Sequence, residues 1–207
     1  MSKIGLWYEV ELRDRNGKVV KRFKRKSDSW LVGFVKLLKS LFYQRYNASV
    51  VYGSVTAEDG STANPPSDYV PTGYTWSVLY PCCRADAGDV NHGIAVGSSD
   101  VANTLTTYAL GSKINHGNAS GQLLYGAVTI EDVTNPSGNI LQFRIIRVFT
   151  NSSGADVTVK EFGLLCRIFS PNGHKNILLA RDVLSTAITI PDGYSLTLRY
   201  IVKITVV

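Results

Sequence analysis

From Leu6 to Arg13 apolar and polar residues alternate: Leu6, Tyr8, Val10 and Leu12 fall on one side, and Trp7, Glu9, Glu11 and Arg13 on the other. A period of two is that of a half-buried strand. Asn16-Gly17 follows, and an extended run resumes at Lys18. Asn-Gly between two extended runs predicts a β-hairpin. In the second run Val19, Lys21, Phe23 and Arg25 share one face, and Lys18, Val20, Arg22, Lys24 and Lys26 share the other. Cations therefore fall on both faces, which predicts a hairpin that is largely solvated or interfacial. The period then changes. Trp30, Leu31, Phe34, Leu37, Leu38, Leu41 and Phe42 recur at spacings of three and four, the stripe of one amphipathic helix. Ser27 or Asp28 stands ready to cap it, and it is expected to end near Asn47.

Beyond Asn47 the pattern is that of strands. Extended segments are expected at 49–59, 75–87 and 92–100, with a short helical turn at Val101–Thr104 capped by Asp100. The segment 60–74 holds three Pro and several small polar residues and predicts a long irregular loop. Five further runs begin near 121, 139, 155, 174 and 194. Turn clusters at Asn135-Pro136, Ser153-Gly154, Asn172-Gly173 and Asp192-Gly193 separate them. Strands punctuated in this way indicate an all-β fold. In the last one Leu196, Leu198, Tyr200, Val202, Ile204 and Val206 share a core face, and the opposite face is semi-polar. The expected architecture is mainly β: an antiparallel β-sandwich or jelly-roll-like barrel with an N-terminal β-hairpin and one amphipathic α-helix. Residues 1–48 form the hairpin and helix, packed on an antiparallel β domain over 49–207.

Composition supports strands, with Val, Ile, Thr, Ser, Gly and Tyr plentiful and only one Met. A chain of 207 residues buries enough surface to need no metal or disulfide staple. Cys82, Cys83 and Cys166 read as free thiols, although a Cys82–Cys166 or Cys83–Cys166 bridge stays open. The charged, alternating N-terminus does not read as a signal peptide, and no apolar run is long enough to span a bilayer. A protein made in the cytoplasm, without a membrane partner, is expected.

Charge is uneven. The net charge is +6, yet residues 1–50 carry twelve Lys/Arg against four Asp/Glu and the rest ten against twelve. Six of the nine residues from Lys18 to Lys26 are Lys or Arg. This polarity suits head-to-tail protein contacts and also suits polyanions. Nucleic-acid recognition asks for a reading helix or stacking platforms. Here the helix spends its aromatics on an apolar stripe.

Catalytic patterns do not emerge. His92, His116 and His174 have no partners at ligand spacing and read as turn or loop histidines, so no metal or cofactor is expected. Glu58 and Asp59 are adjacent, and neighbouring acids on a strand point apart. The Asn-X-Ser triplets at Asn47, Asn118 and Asn151 carry no weight without a secretion signal. Trp7, Tyr69, Tyr74, Trp76 and Tyr80 suit a glycan platform but equally a β core or interface. The expectation is a non-enzymatic protein. Its candidate interface residues are Arg13, Arg15, Lys18, Lys21, Arg22, Lys24, Arg25, Lys26, Tyr69, Tyr74 and Trp76.

Several segments carry a resemblance: "GIAVGSSDVANTLTTYALGSKINHG", "VKEFGLL" with Glu161, Phe162, Gly163 and Leu164, "ILLARDVL" with Leu178 to Arg181, and the closing "ITIPDGYSLTLRYIVKITV". The opening "VELRDRNGKVVKRFKRKSDSWLVGFVKLL" belongs with them. In these stretches the chain resembles structural proteins of tailed bacteriophages and related archaeal viruses. The resemblance implies a virion component of head-decoration, minor-capsid or tail type, made in the host cytoplasm. Its partners would be copies of itself and other virion proteins. A receptor- or glycan-binding fibre module is the alternative, and a nucleic-acid binder using the basic hairpin is a second.

Overall fold

A computed structural model describes residues 3–27, 30–42, 55–63, 82–170 and 173–205. Two antiparallel sheets dominate. The larger one starts with the predicted hairpin. Strand β1 (Lys3–Arg13) turns at Gly17, whose φ of 80° is open to glycine, and returns as β2 (Val19–Ser27). The Asp14 carboxylate accepts the backbone N–H groups of Asn16 and Lys18, each at 2.9 Å, and so fixes the turn.

The last strand, β12 (Ser195–Thr205), pairs with β1 over its whole length, from Lys3↔Thr205 to Arg13↔Ser195. On its other side β12 pairs with β9 (Ile140–Thr150). The far edge of β9 carries β6 (Leu124–Tyr125), β7 (Thr129–Ile130) and β8 (Thr134–Ser137). These three short pieces replace the single strand expected over this segment. They run antiparallel to β9 in succession, and each break shifts the register by one residue, as a bulge does. At the first break Gly126 lies so close to β9 that a Cβ would sit 3.0 Å from the Val148 carbonyl.

The smaller sheet has the order β11-β10-β5, with β5 at Gly93–Gly97, β10 at Val157–Ser170 and β11 at Gly173–Ile190. Two minimal strands, β3 (Val55–Thr56) and β4 (Thr62–Ala63), form a separate pair. The sheets meet face to face. Tyr8 of β1 and Tyr200 of β12 both contact Phe162 of β10 edge-on, with ring centroids at 4.8 and 5.8 Å. Leu6, Val10, Leu196 and Leu198 fill the same interior from the larger sheet, and Leu164 and Ile168 from the smaller. The arrangement is sandwich-like. It is not the closed barrel offered as one expectation, because β2 and β11 end their sheets without pairing to each other.

Helix α1 (Val32–Phe42) lies on β11, held by Leu31 and Leu37 and by a Leu31 N–H to Leu179 carbonyl hydrogen bond of 2.9 Å. Ile177, Leu178, Leu179 and Ala180 are buried without alternation, because this strand is covered on both faces. The helix starts later than expected. Ser27 does not cap it: that residue is the last of β2, opposite Leu6, and its hydroxyl binds the Asp182 carboxylate at 3.1 Å. Asp28 and the expected end near Asn47 lie outside the described residues.

Two other expectations change. Val101–Thr104 forms no helical turn; Thr104 instead closes a turn onto Thr107. Within the strand expected at 75–87, Cys82 makes an isolated bridge to Arg167, and 83–86 are irregular. Among the described residues no helix is long and apolar enough to cross a membrane.

Candidate functional site

The basic run of the sequence becomes an edge. Among the described residues strand β2 pairs only with β1, which leaves its other side open, and from Val19 to Lys26 only Phe23 is not exposed. An edge studded with Lys and Arg resists non-specific strand pairing. Register distributes the cations. Leu12↔Lys21, Val10↔Phe23 and Tyr8↔Arg25 put Lys21 and Arg25 on the side facing the second sheet. Glu11↔Arg22, Glu9↔Lys24 and Trp7↔Lys26 put the others on the outer face.

On that outer face several charges are satisfied. Glu9 accepts from Arg22 at 3.0 Å and from Arg199 at 3.1 Å. Glu11, buried, pairs with Arg13 at 2.7 Å and lies 3.7 Å from Arg22. Lys24 and Lys203 both stand over the Trp7 ring at 5.9 Å, in cation–π range. This side is not simply solvated, since Ile201 and Thr197 of β12 are also buried.

Between the open edges of the two sheets runs a groove of about 310 Å³, lined by Lys21, Arg22, Phe23 and Arg25 from β2 and by Leu184, Ser185 and Thr186 from β11. Arg25 donates to Ser185 Oγ at 2.8 Å and bridges the two strands. Lys21 and Arg25 flank the Phe23 ring at 5.8 and 5.5 Å. Below lies a buried polar network. The Tyr200 hydroxyl donates to Asp182 at 2.8 Å, and burial and that carboxylate push the Tyr200 phenol well up. Burial and Asp182 likewise raise Tyr8, which also meets Arg25. Chemically, the groove offers the Lys21 ammonium, the Arg25 guanidinium and hydroxyls over an apolar floor. Such a set recognises carboxylate, phosphate or sulfate groups by charge and paired hydrogen bonds.

The candidate residues thus divide. Lys21 and Arg25 converge on the groove; Arg22 borders it but turns its guanidinium to Glu9 and Glu11 on the outer face, where Lys24 and Lys26 also lie, and Lys18 is exposed ahead of the strand. Arg13 and Arg15 have structural tasks. Arg13 binds Glu11 and the Gly17 carbonyl, and Arg15 reaches the Asp192 carbonyl at 3.3 Å, tying the hairpin to the β11–β12 turn. Tyr69, Tyr74 and Trp76 lie outside the described residues, as does Tyr80.

Two buried charged centres escaped the sequence reading. Arg147 of β9 is wholly buried and meets five main-chain carbonyls: Gly126 at 2.8 Å, His92 at 3.2 Å, Ile94 at 2.9 Å, Asp86 at 3.1 Å and Asp89 at 2.6 Å. Its guanidinium also stacks on Tyr125, whose hydroxyl burial raises to about 12. The available signal was an Arg at an inward position between Ile145 and Phe149. Beside this centre, His92 is buried and not an open loop histidine. Its Nε2 bonds the Arg84 carbonyl at 2.9 Å, and its Nδ1 lies 3.2 Å from Asp89. Burial first, then Arg167, hold His92 below its ordinary value.

The second centre joins residues from β10, β11 and the 98–112 loop. Glu161 of β10, fully buried, receives Arg181 of β11 at 2.5 Å and the backbone N–H groups of Gly111 and Ser112 at 3.1 and 2.8 Å. Asn103 completes it through Arg181. A Cβ at Gly97 would collide with the Glu161 carboxylate, so the glycine makes room for this clamp. These residues hold the 98–112 loop against the sheet.

Comparison with other proteins adds no relative. No family model, curated protein or solved structure matches the chain. Among the described residues no three His, Cys, Asp or Glu side chains group as metal ligands.

Proposed function

We propose that this protein is a structural component that works by assembly, docking its basic β2 edge against an acid-bearing surface of a neighbouring subunit. The observation that supports this is the edge itself. It is long, open on one side among the described residues, loaded with cations on both faces, and borders a groove in which Lys21 and Arg25 stand together. Guanidinium and ammonium groups at a rim steer association and fix partner choice. The sequence resemblance gives this docking its setting: a virion, as a head-decoration, minor-capsid or tail component, with copies of itself and other virion proteins as partners. No catalytic role is part of the proposal. A jelly-roll kinship of the sandwich belongs to the same reading, supported by two sheets that face each other across Tyr8, Phe162 and Tyr200.

Electron microscopy and sedimentation of the purified protein test it. Rings, lattices, fibres or defined oligomers, weakened by salt, are the expected result. A monomer at high concentration that also fails to bind assembled particles would sink the proposal.

A second reading rests on Lys18, Lys21 and Lys24, which have no ion pair among the described residues and remain open to phosphates. It requires affinity for single- or double-stranded nucleic acid with a steep loss in salt. Absence of binding at about 50 mM salt would remove it.

A further inference from the structure

We propose that Cys83 and Cys166 are a cross-strand dithiol that closes to a disulfide when the protein meets an oxidising environment. The backbone sets up the pair. The Cys82 N–H donates to the Arg167 carbonyl at 3.0 Å, and the Arg167 N–H donates back to the Cys82 carbonyl at 2.8 Å. This reciprocal exchange defines an antiparallel hydrogen-bonded pair, Cys82↔Arg167. The next position along the ladder is then Cys83 opposite Cys166. In a non-hydrogen-bonded pair of that kind the Cα atoms are about 4.5 Å apart with both side chains on the same face. Disulfides span Cα separations of about 4.4–6.8 Å.

Burial agrees with the pairing. Cys166 is buried, Cys83 is half-buried against the core, and Cys82 is exposed. The Cys82 thiol turns to the Arg84 carbonyl at 3.5 Å. Of the two bridges that the sequence leaves open, the geometry points to Cys83–Cys166. The Cys83 thiol is also the first influence on Cys166 and, with burial, pushes that thiol well up.

The chemistry balances with a low-molecular-weight disulfide as oxidant. The half-buried Cys83 thiolate attacks oxidised glutathione, forming a Cys83–glutathione disulfide and releasing one glutathione thiol. The Cys166 thiolate then attacks the Cys83 sulfur, forming Cys83–Cys166 and releasing the second. Two electrons and two protons leave the protein and end on the two glutathione thiols. The second step requires Cys166 to ionise, so it accelerates as pH rises. The bond closes a loop on the order of 80 residues, which restricts the unfolded chain strongly. It would pin the segment entering at Cys82 onto β10 and act as a lock that sets once the protein leaves a reducing compartment.

The test uses the full chain equilibrated with oxidised glutathione, followed by thiol titration in denaturant, peptide mapping and thermal melting. Expected are a fall from three thiols to one per chain, a mapped Cys83–Cys166 bridge, and a Tm rise of roughly 10 °C reversed by dithiothreitol. Cys82→Ser should still form the bridge, and Cys83→Ser should not. Because Cys166→Ser changes a buried residue, Cys83→Ser carries the comparison. Three thiols remaining after equilibration would overturn the proposal. So would a Cys82–Cys166 bridge, a glutathione adduct that stops on Cys83, or a Cys82-linked dimer with Cys83 and Cys166 still reduced.

Discussion

Replacing Arg147 with Met should be among the most damaging single changes in this protein. The five carbonyls that Arg147 serves are main-chain atoms from Asp86, Asp89, His92, Ile94 and Gly126, so no side-chain substitution can remove them. Met fills much of the volume but donates nothing, and the carbonyls at the centre of a 0 %-exposed site lose their charged partner. A buried charge is costly in itself, and burial pulls the Arg147 guanidinium below its ordinary value. Removing it therefore recovers part of the loss. Each buried carbonyl left without a donor costs about 1–3 kcal/mol, and with five affected and part of the loss recovered the net effect is about 4 kcal/mol. For a chain of this size, ~4 kcal/mol corresponds to a Tm drop of roughly 8–16 °C. Arg147→Lys keeps the charge with three donors in place of five and loses the flat stack on Tyr125, so it should fall between wild type and Met. Urea unfolding followed by circular dichroism and calorimetry would measure both variants. An Arg147→Met protein within about 0.5 kcal/mol of wild type would refute the reasoning, as would a lysine variant worse than Met.

Two further outcomes are expected. Gly33→Ala should lower stability by about 1–2 kcal/mol, read by chemical denaturation, although Ala favours helices by about 1 kcal/mol. The new Cβ would sit 2.6 Å from the Leu178 carbonyl and 3.0 Å from Ile177, forcing α1 off β11. As for pH, the folded protein holds His92 below its ordinary 6.5, so the unfolded chain binds the proton first. Stability conferred by neutral His92 is present above about pH 6.5 and is lost as pH falls through that value. The slope is up to about 1.4 kcal/mol per pH unit. Only as pH falls on toward 3.8 does Asp89 add loss in the same direction: burial opposes its charge, but the Asn91 N–H, His92 and Arg167 hold it under 3.8. Urea midpoints between pH 7.5 and 5 should therefore fall for wild type and flatten for His92→Gln.

Much of this fold was legible because alternation is a local property. Leu6, Tyr8, Val10 and Leu12 read as a core face and are buried, and Asn16-Gly17 read as the hairpin turn. The faces of β2 were also readable, since Lys21 and Arg25 share the parity of Phe23. What escaped depends on distant partners. Ser27 has the chemistry of a helix cap, but pairing with Leu6 and the Asp182 carboxylate claim it for β2. The strand expected over 121–138 breaks because successive bulges slide it along β9. Val101–Thr104 stays irregular inside a loop held by Glu161, Arg181 and Asn103, residues contributed by β10, β11 and the loop itself. The basic residues of the candidate site were visible. Their division into a groove set, an outer-face set and the turn anchors Arg13 and Arg15 required the sheet register and β11 across the gap.

The most direct measurement for the assembly account is sedimentation velocity of wild type and the double variant Lys21→Glu/Arg25→Glu across salt. Both positions are exposed on the edge strand, and a matching melt would establish that the fold survives loss of the Arg25–Ser185 contact. The account predicts oligomers or larger particles for wild type at low salt, dispersed as salt rises, and monomers for the charge-reversed protein. Identical assembly by the two proteins, or a wild type that stays monomeric and ignores assembled particles, would contradict it.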